Sequence, residues 1–224
     1  MTRTTNAWLA GFTFLFYIAT GITGMILFGR ATRGAEGTAA TLASLAQHAA
    51  LVRGTVVLTL VEVTCALVLA VTLWALTRDE DRDLAMLALC CRVTEGAIGG
   101  VAAVRTVGLL SVATGAASSD AAAVNALGAM LLAMGDGSIL VAATCFALGS
   151  TLYSYLFLRA RSIPVQLAWL GVVASLLLVV ALPARLAGAL EGPAAWLVWM
   201  PMLVFELALA LWLLVKGVAE PVPR

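Results

Sequence analysis

The chain has very little charge and almost no histidine or lysine. Only 11% of its 224 residues are charged, while 62% are hydrophobic, against about 25% charged residues in soluble domains. This composition excludes an ordinary soluble domain and predicts one integral membrane domain covering residues 1–224. The net charge of +1 and the absence of a basic run also exclude a nucleic-acid partner.

Histidine and cysteine usage narrows the chemistry further. His48 is the only histidine, which argues against a bis-histidine haem, a histidine-based metal cluster and a Ser-His-Asp hydrolase. Cys65, Cys90, Cys91 and Cys145 lie in apolar runs without C-x-x-C spacing. They are either small buried residues or, at Cys90 and Cys91, a vicinal redox pair. We predict no metal site and no cofactor.

Six apolar stretches are long enough to cross a bilayer. They lie at residues 8–28, 54–76, 84–110, 138–158, 164–182 and 194–215. An Ala-rich segment at residues 38–52 predicts a short interfacial helix, and residues 111–125 predict a small-residue loop. The expected fold is all-α: an integral membrane bundle of about six transmembrane helices with short interfacial helices.

The basic residues outside these spans are unevenly distributed. The side of the termini carries Arg3, Arg78, Arg82, Arg159, Arg161, Lys216 and Arg224, and the other side carries Arg30, Arg33, Arg53 and Arg185. Because basic residues are enriched in cytoplasmic loops, this excess predicts a protein of the cell membrane with both termini in the cytoplasm.

Three predicted spans contain charged residues, namely Arg92, Glu95 and Arg105 in one span and Glu62 and Glu206 in two others. A charged group in hydrocarbon costs at least ~2.5 kcal/mol, so it persists only inside a bundle or beside a wet cavity. Arg92 and Glu95 are three residues apart and share one helical face, where their side chains can form an ion pair.

A further acid, Asp136, lies between Gly135 and Gly137. Because glycine disfavours helix, we expect a helix break here, with Asp136 at a helix start near the membrane surface. Asp136 is then either a helix cap or a functional acid.

A carboxyl group in an apolar environment keeps its proton more readily unless a cation lies nearby. Glu62, Asp136 and Glu206 are therefore candidate acid and base groups. Arg92 and Glu95 are either the pair that orders them or a structural ion pair.

The candidate substrate-binding residues are mostly aromatic, because aromatic faces can stabilise a cation. They are Tyr17, Phe16, Arg105, Tyr155 and Trp199. The acidic run at residues 78–83 (R-D-E-D-R-D) is either a solvated turn or a weak match to the acidic clusters that hold magnesium and diphosphate. Its two arginines favour the solvated turn.

Two stretches resemble a known family. Residues 91–95 (C-R-V-T-E) and 155–171 (Y-L-F-L-R-A-R-S-I-P-V-Q-L-A-W-L-G) are similar to an uncharacterised family of small bacterial six-span proteins. Its members share an R-x-x-E pair in a central helix and an R-S-x-P-x-x-L-x-x-L-G turn. This resemblance implies a fold but no chemistry.

The size of the chain and its intramembrane acids are also similar to membrane-bound bacterial terpene cyclases of the drimentine-pathway type. That resemblance implies an enzyme for a lipophilic small molecule, which protonates and cyclises a prenyl (farnesyl-type) chain, for example on a prenylated indole, without a metal. The alternatives are a proton-coupled transporter of a lipophilic small molecule and a membrane subunit that binds a partner without catalysis. The oligomeric state stays open.

Overall fold

The computed structural model of the chain describes residues 1–115 and 120–219, and at Asp136 the backbone alone. Within these residues the chain forms eight helices and no strand. They are α1 (Arg3–Ala31), α2 (Gly37–Gln47), α3 (Ala49–Thr77), α4 (Arg82–Gly115), α5 (Ala121–Ala160), α6 (Val165–Leu186), α7 (Ala194–Leu197) and α8 (Met200–Val215). Six stretches are long and apolar enough to cross a membrane: α1, α3, α4, α5, α6 and Ala194–Val215, which contains α7 and α8. The predicted all-α class with six spans is confirmed.

The predicted helix break around Asp136 is wrong, because α5 continues through residues 134–137 as a regular helix. A glycine in a helix costs about 1 kcal/mol relative to alanine. Backbone groups left unpaired in hydrocarbon cost several kcal/mol each, so an unbroken helix is the more stable choice. The predicted loop at residues 111–125 is also too long, since α4 extends to Gly115 and α5 begins at Ala121. The side chain of Asp136 lies outside the described part of the structure.

The chain divides into two compact units. The first unit comprises Met1–Tyr17, Thr64–Gly96 and Leu140–Arg224, and the second comprises Ile18–Val63 and Ala97–Ile139. In the second unit, part of the short helix predicted at residues 38–52 is present as α2, which ends at Gln47, whereas residues 49–52 belong to α3. Leu42 and Leu45 of α2 are buried and pack with Leu109 of α4.

In the first unit, α6 packs against α8, and the contact depends on Gly171. A Cβ atom at this position would lie 2.5 Å from two ring carbons of Phe205 and 2.5 Å from Ser154 Oγ. Glycine therefore allows α6 to approach α5 and α8 more closely than any other residue would permit. On α5, Gly149 also allows a close approach between helices, since a Cβ atom at this position would lie 3.2 Å from Ala88 O of α4.

The acidic turn before α4 is in contact with solvent, as its sequence indicates, and it also forms ion pairs with Arg3 and Arg159. Arg159 at the end of α5 contacts Glu80 Oε1 through Nε at 2.8 Å and Asp81 Oδ2 through Nη1 at 3.2 Å. Arg3 Nη1 lies 3.4 Å from Asp79 Oδ2. We call these five residues the charged cluster; it joins the start of α1, the α3–α4 turn and the end of α5.

The chain reverses direction between α5 and α6 at the R-S-I-P sequence, and each part of that sequence has a role in the turn. Arg161 adopts a left-handed conformation with φ of 49°, and Ser162 N donates to Phe157 O at 3.3 Å, as in helix ends of the Schellman type. Pro164 then precedes the first turn of α6. Ser162 O also accepts a hydrogen bond from Ala219 N at 2.9 Å, so this turn holds the segment after α8.

Gly171→Ala should lower the free energy of unfolding by ~1–3 kcal/mol, because the added methyl group overlaps Phe205 and Ser154. Gly29→Ala is the matched control, since a Cβ at Gly29 meets no atom within 4 Å and should be neutral or stabilising by ~0.5–1 kcal/mol. Unfolding by dodecyl sulfate in mixed micelles measures both. Equal effects of the two substitutions would contradict close packing at Gly171.

Arg159→Gln should lower the free energy of unfolding by about 1 kcal/mol or less, because its two ion pairs are partly exposed and screened by water. Lys216→Gln removes the same charge from an exposed residue outside the charged cluster and should have a smaller effect. The same unfolding experiment compares the two variants, and a larger loss in the lysine variant would show that the charged cluster does not stabilise the first unit.

Candidate functional site

The candidate site is built around Arg92, a buried arginine of α4 in the first unit. Its side chain is 1% exposed, and its Nη1 atom lies 2.9 Å from Oε2 of Glu95, one helical turn further along α4. The predicted ion pair between these residues is therefore present. A charged pair that is shielded from water needs other polar partners, because the attraction between the two charges rarely offsets the free-energy cost of removing both from water.

Tyr17 on α1 supplies one of those partners. Its hydroxyl group donates a hydrogen bond to Glu95 Oε1 at 2.8 Å, so one oxygen of Glu95 faces Arg92 and the other faces Tyr17. The guanidinium carbon of Arg92 also lies 5.0 Å from the ring centroid of Phe146 and 5.7 Å from that of Tyr17. Aromatic faces attract a cation at these distances, most strongly when water is excluded.

Glu206 on α8 is the second carboxyl group of the site. It is 7% exposed and interacts electrostatically with both Arg92 and Glu95. Its Oε1 atom is buried and makes no hydrogen bond to any residue that the structure describes. The site thus contains two carboxyl groups and one guanidinium group, and it is electrically neutral when one carboxyl group carries a proton. We call Tyr17, Arg92, Glu95 and Glu206 the Arg92 cluster.

A small cavity adjoins the Arg92 cluster. Arg92, Ser150 and Ser154 form its polar lining, and the remaining lining residues are Phe14, Leu73, Tyr153, Phe157, Met202, Phe205 and Leu209. The hydroxyl group of Tyr153 donates to Ala70 O at 3.0 Å. The free space accommodates about one water molecule. In this conformation the cavity therefore has no room for a prenyl chain.

Four of the predicted site residues come together in the Arg92 cluster, and three aromatic candidates do not join it. Phe16 is 45% exposed and stacks on Phe12 with centroids 6.0 Å apart, while Tyr155 is 44% exposed. Trp199 lies closer to the site, because its ring stacks on Phe146 at 6.5 Å. Exposed aromatic side chains on a membrane span face lipid, so Phe16 and Tyr155 do not line this cavity.

The remaining candidates belong to the second unit and have other neighbours. The Glu62 carboxyl group faces Gly21 and Gly24 of α1, and Arg105 Nη1 donates to Leu131 O at 2.8 Å. Asp136 shares this unit, but its side chain lies outside the described residues. Among the residues that are described, no three His, Cys, Asp or Glu side chains are grouped so that they could hold a metal ion, and none of the four cysteines forms a disulfide bond.

The residues that sequence reasoning missed lie on one face of α5. Phe146, Ser150, Ser154 and Phe157 contact Arg92 or line the cavity, and they recur at the spacing of one or two helical turns. This periodicity is visible in the sequence. Its meaning could not be recognised, because nothing in the sequence indicates which face of α5 meets α4.

A family model described as "Domain of unknown function (DUF4386)" matches residues 9–217. The chain belongs to this family. The match agrees with the predicted resemblance to an uncharacterised family and covers all six spans of this DUF4386 protein. No curated protein and no solved structure gives a significant match.

In the DUF4386 protein, Arg92→Met should lower the free energy of unfolding by ~3–5 kcal/mol, because it leaves two buried carboxyl groups without their cation. The double variant Arg92→Met/Glu95→Met should recover much of that loss, since it replaces the buried pair with apolar side chains. Arg185→Met, at a partly exposed position, is the control. Dodecyl sulfate titration measures all three, and equal losses for the Arg92 and Arg185 variants would contradict a buried ion pair.

Proposed function

We propose that this protein is a proton-coupled transporter of a lipophilic small molecule in the bacterial cell membrane, with both termini in the cytoplasm. The observation that carries the proposal is that two buried carboxyl groups, Glu95 and Glu206, share one buried cation, Arg92. The excess of basic residues on the side of the termini supports the orientation.

The geometry supports different roles for the two carboxyl groups. Glu95 is held on both oxygens, by Arg92 and by Tyr17, and is suited to keeping the guanidinium group in place. Glu206 has a buried oxygen without a hydrogen bond among the described residues, so it is the group suited to gaining and losing a proton. Ionisable groups within membrane spans commonly mark proton relays in pumps and transporters.

The small cavity beside Arg92 is consistent with a transporter in a closed conformation. A site that binds a drug-sized molecule encloses roughly 300–1,000 Å³, whereas the cavity beside Arg92 has room for about one water molecule. A transporter passes through a closed conformation in which its site is empty. A cyclase needs a preformed pocket that folds the whole prenyl chain around the acid.

A second candidate is the proton-initiated terpene cyclase, and the aromatic wall of the cavity favours it. Phe14, Tyr153, Phe157 and Phe205 surround the space beside Arg92, and their ring faces could stabilise a carbocation. In such a reaction a Glu206 carboxyl group would transfer its proton to a terminal alkene. The electrons of an internal alkene would close the ring, and loss of a proton to a carboxylate would restore neutrality.

Glu206→Gln should abolish a pH-dependent carboxyl band in the infrared difference spectrum of the protein in lipid nanodiscs, because it removes the proposed proton-binding group. Glu191→Gln is the control, since Glu191 is exposed in the loop before α7 and its substitution should leave that band in place. An identical difference spectrum for wild type and Glu206→Gln would sink the proton-coupled proposal without any knowledge of the substrate.

The same variants distinguish the two candidate functions. Proteoliposomes that contain a pH-sensitive dye are supplied with farnesol, ethidium or tetraphenylphosphonium, and the compounds are recovered for mass spectrometry. Transport is supported if protons move across the membrane, the compound is recovered chemically unchanged, and the proton movement is lost in Glu206→Gln. Conversion of a farnesyl compound or a prenylated indole into a cyclic isomer supports the cyclase instead.

A further inference from the structure

We propose that the cavity beside Arg92 is a binding site for one uncharged oxygen atom that accepts hydrogen bonds. Two sources share this chemistry: a resident water molecule, and the hydroxyl or carbonyl head of an amphipathic molecule. The second source rests on the proposed transport function, whereas the first does not.

Arg92 supplies the hydrogen-bond donors of the proposed site. Arg92 is almost fully buried and lines the cavity. Its Nη1 atom is paired with Glu95 Oε2 at 2.9 Å, whereas its Nε and Nη2 atoms have no hydrogen-bond partner among the described residues. Guanidinium has five N–H donors and no acceptor. A buried donor without a partner costs about 1–3 kcal/mol, so native proteins fill such positions with protein groups or ordered water.

The lining and the volume of the cavity limit what can bind there. Ser150 and Ser154 lie one helical turn apart on α5 and line the space together with Arg92, which gives the site a polar side. Phe14, Phe157 and Phe205 belong to its apolar lining. A few convergent polar groups within an apolar lining are typical of small-molecule sites, and the present volume fits a single oxygen atom.

The charges around the cavity decide between neutral and charged ligands. Arg92 is already paired with Glu95, and Glu206 interacts with both, so a carboxylate or phosphate would meet two carboxyl groups. A cation would meet the guanidinium group itself. A neutral oxygen has neither penalty, because it can accept from Arg92 without adding charge to a site that is shielded from water.

The test compares wild type with two variants of neighbouring residues in phosphatidylcholine nanodiscs. Ser150→Val fills the cavity and removes a hydroxyl group without changing charge. Thr151→Val is the matched control, because the Thr151 hydroxyl group donates to Ala147 O within α5 and Thr151 does not line the cavity. Ser154→Ala provides a second cavity variant, which removes a hydroxyl group without adding volume, in case Ser150→Val does not fold.

Infrared spectra in heavy water of oxygen-16 and oxygen-18 detect a resident water molecule. An isotope-sensitive O–D band that is present in wild type and Thr151→Val, but lost or shifted in the two cavity variants, identifies water as the ligand.

Thermal unfolding with dodecanol or dodecane detects a head group. Dodecanol should raise the midpoint by about 2–4 °C more than dodecane in wild type and Thr151→Val only.

The proposal is overturned if wild type shows neither the isotope-sensitive band nor a preference for dodecanol, or if the cavity variants retain both signals unchanged. Equal stabilisation by dodecane and dodecanol would mean that only the apolar tail is bound, which also overturns the head-group source. Glu206 is intact in both cavity variants. Their pH-dependent carboxyl band therefore reports on the proposed proton site separately, and one proposal can fail without the other.

Discussion

The buried guanidinium group of Arg92 is the constraint on which the arrangement of the first unit depends. A cation in the interior of a membrane protein must be neutralised and hydrogen-bonded by groups that come from several helices. Glu95 from its own helix pairs with the cation, Tyr17 from α1 donates a hydrogen bond to Glu95, and Glu206 from α8 interacts electrostatically with Arg92. Phe146 of α5 places its ring against the cation. One residue of α4 thereby fixes how three other helices must be placed around it.

The packing of small residues makes that arrangement possible. Gly149 allows α5 to pass close to Ala88 and Cys91 beside Arg92, and Gly171 allows α6 to meet Phe205 and Ser154. In lipid there is little hydrophobic driving force between helices, so close van der Waals contact and interhelical polar contacts hold spans together. The two glycines therefore support the Arg92 cluster, because the close approach of the helix backbones keeps lipid and bulk water away from the charges.

Much of the fold could be predicted from the sequence, because hydropathy and span length report directly on the bilayer. The Arg92–Glu95 pair was also predictable, since residues three apart on a helix must meet. The continuity of α5 through Gly135 and Gly137 was not, because local propensity and the demand for paired backbone groups in hydrocarbon point in opposite directions. The contributions of Ser150, Ser154 and Phe146 depend on which helix faces α4, and a single sequence contains no direct record of that.

The charged cluster at residues 79–81, with Arg3 and Arg159, differs from the Arg92 cluster in one physical respect. Its ion pairs are in contact with solvent, and at physiological ionic strength exposed charges are screened over about 8 Å. The Arg92–Glu95 pair is shielded from mobile ions by its burial. The first unit therefore contains one set of ion pairs that salt weakens and one ion pair that salt does not reach. Raising the ionic strength can loosen the start of α1 and the end of α5, while the Arg92–Glu95 pair stays intact.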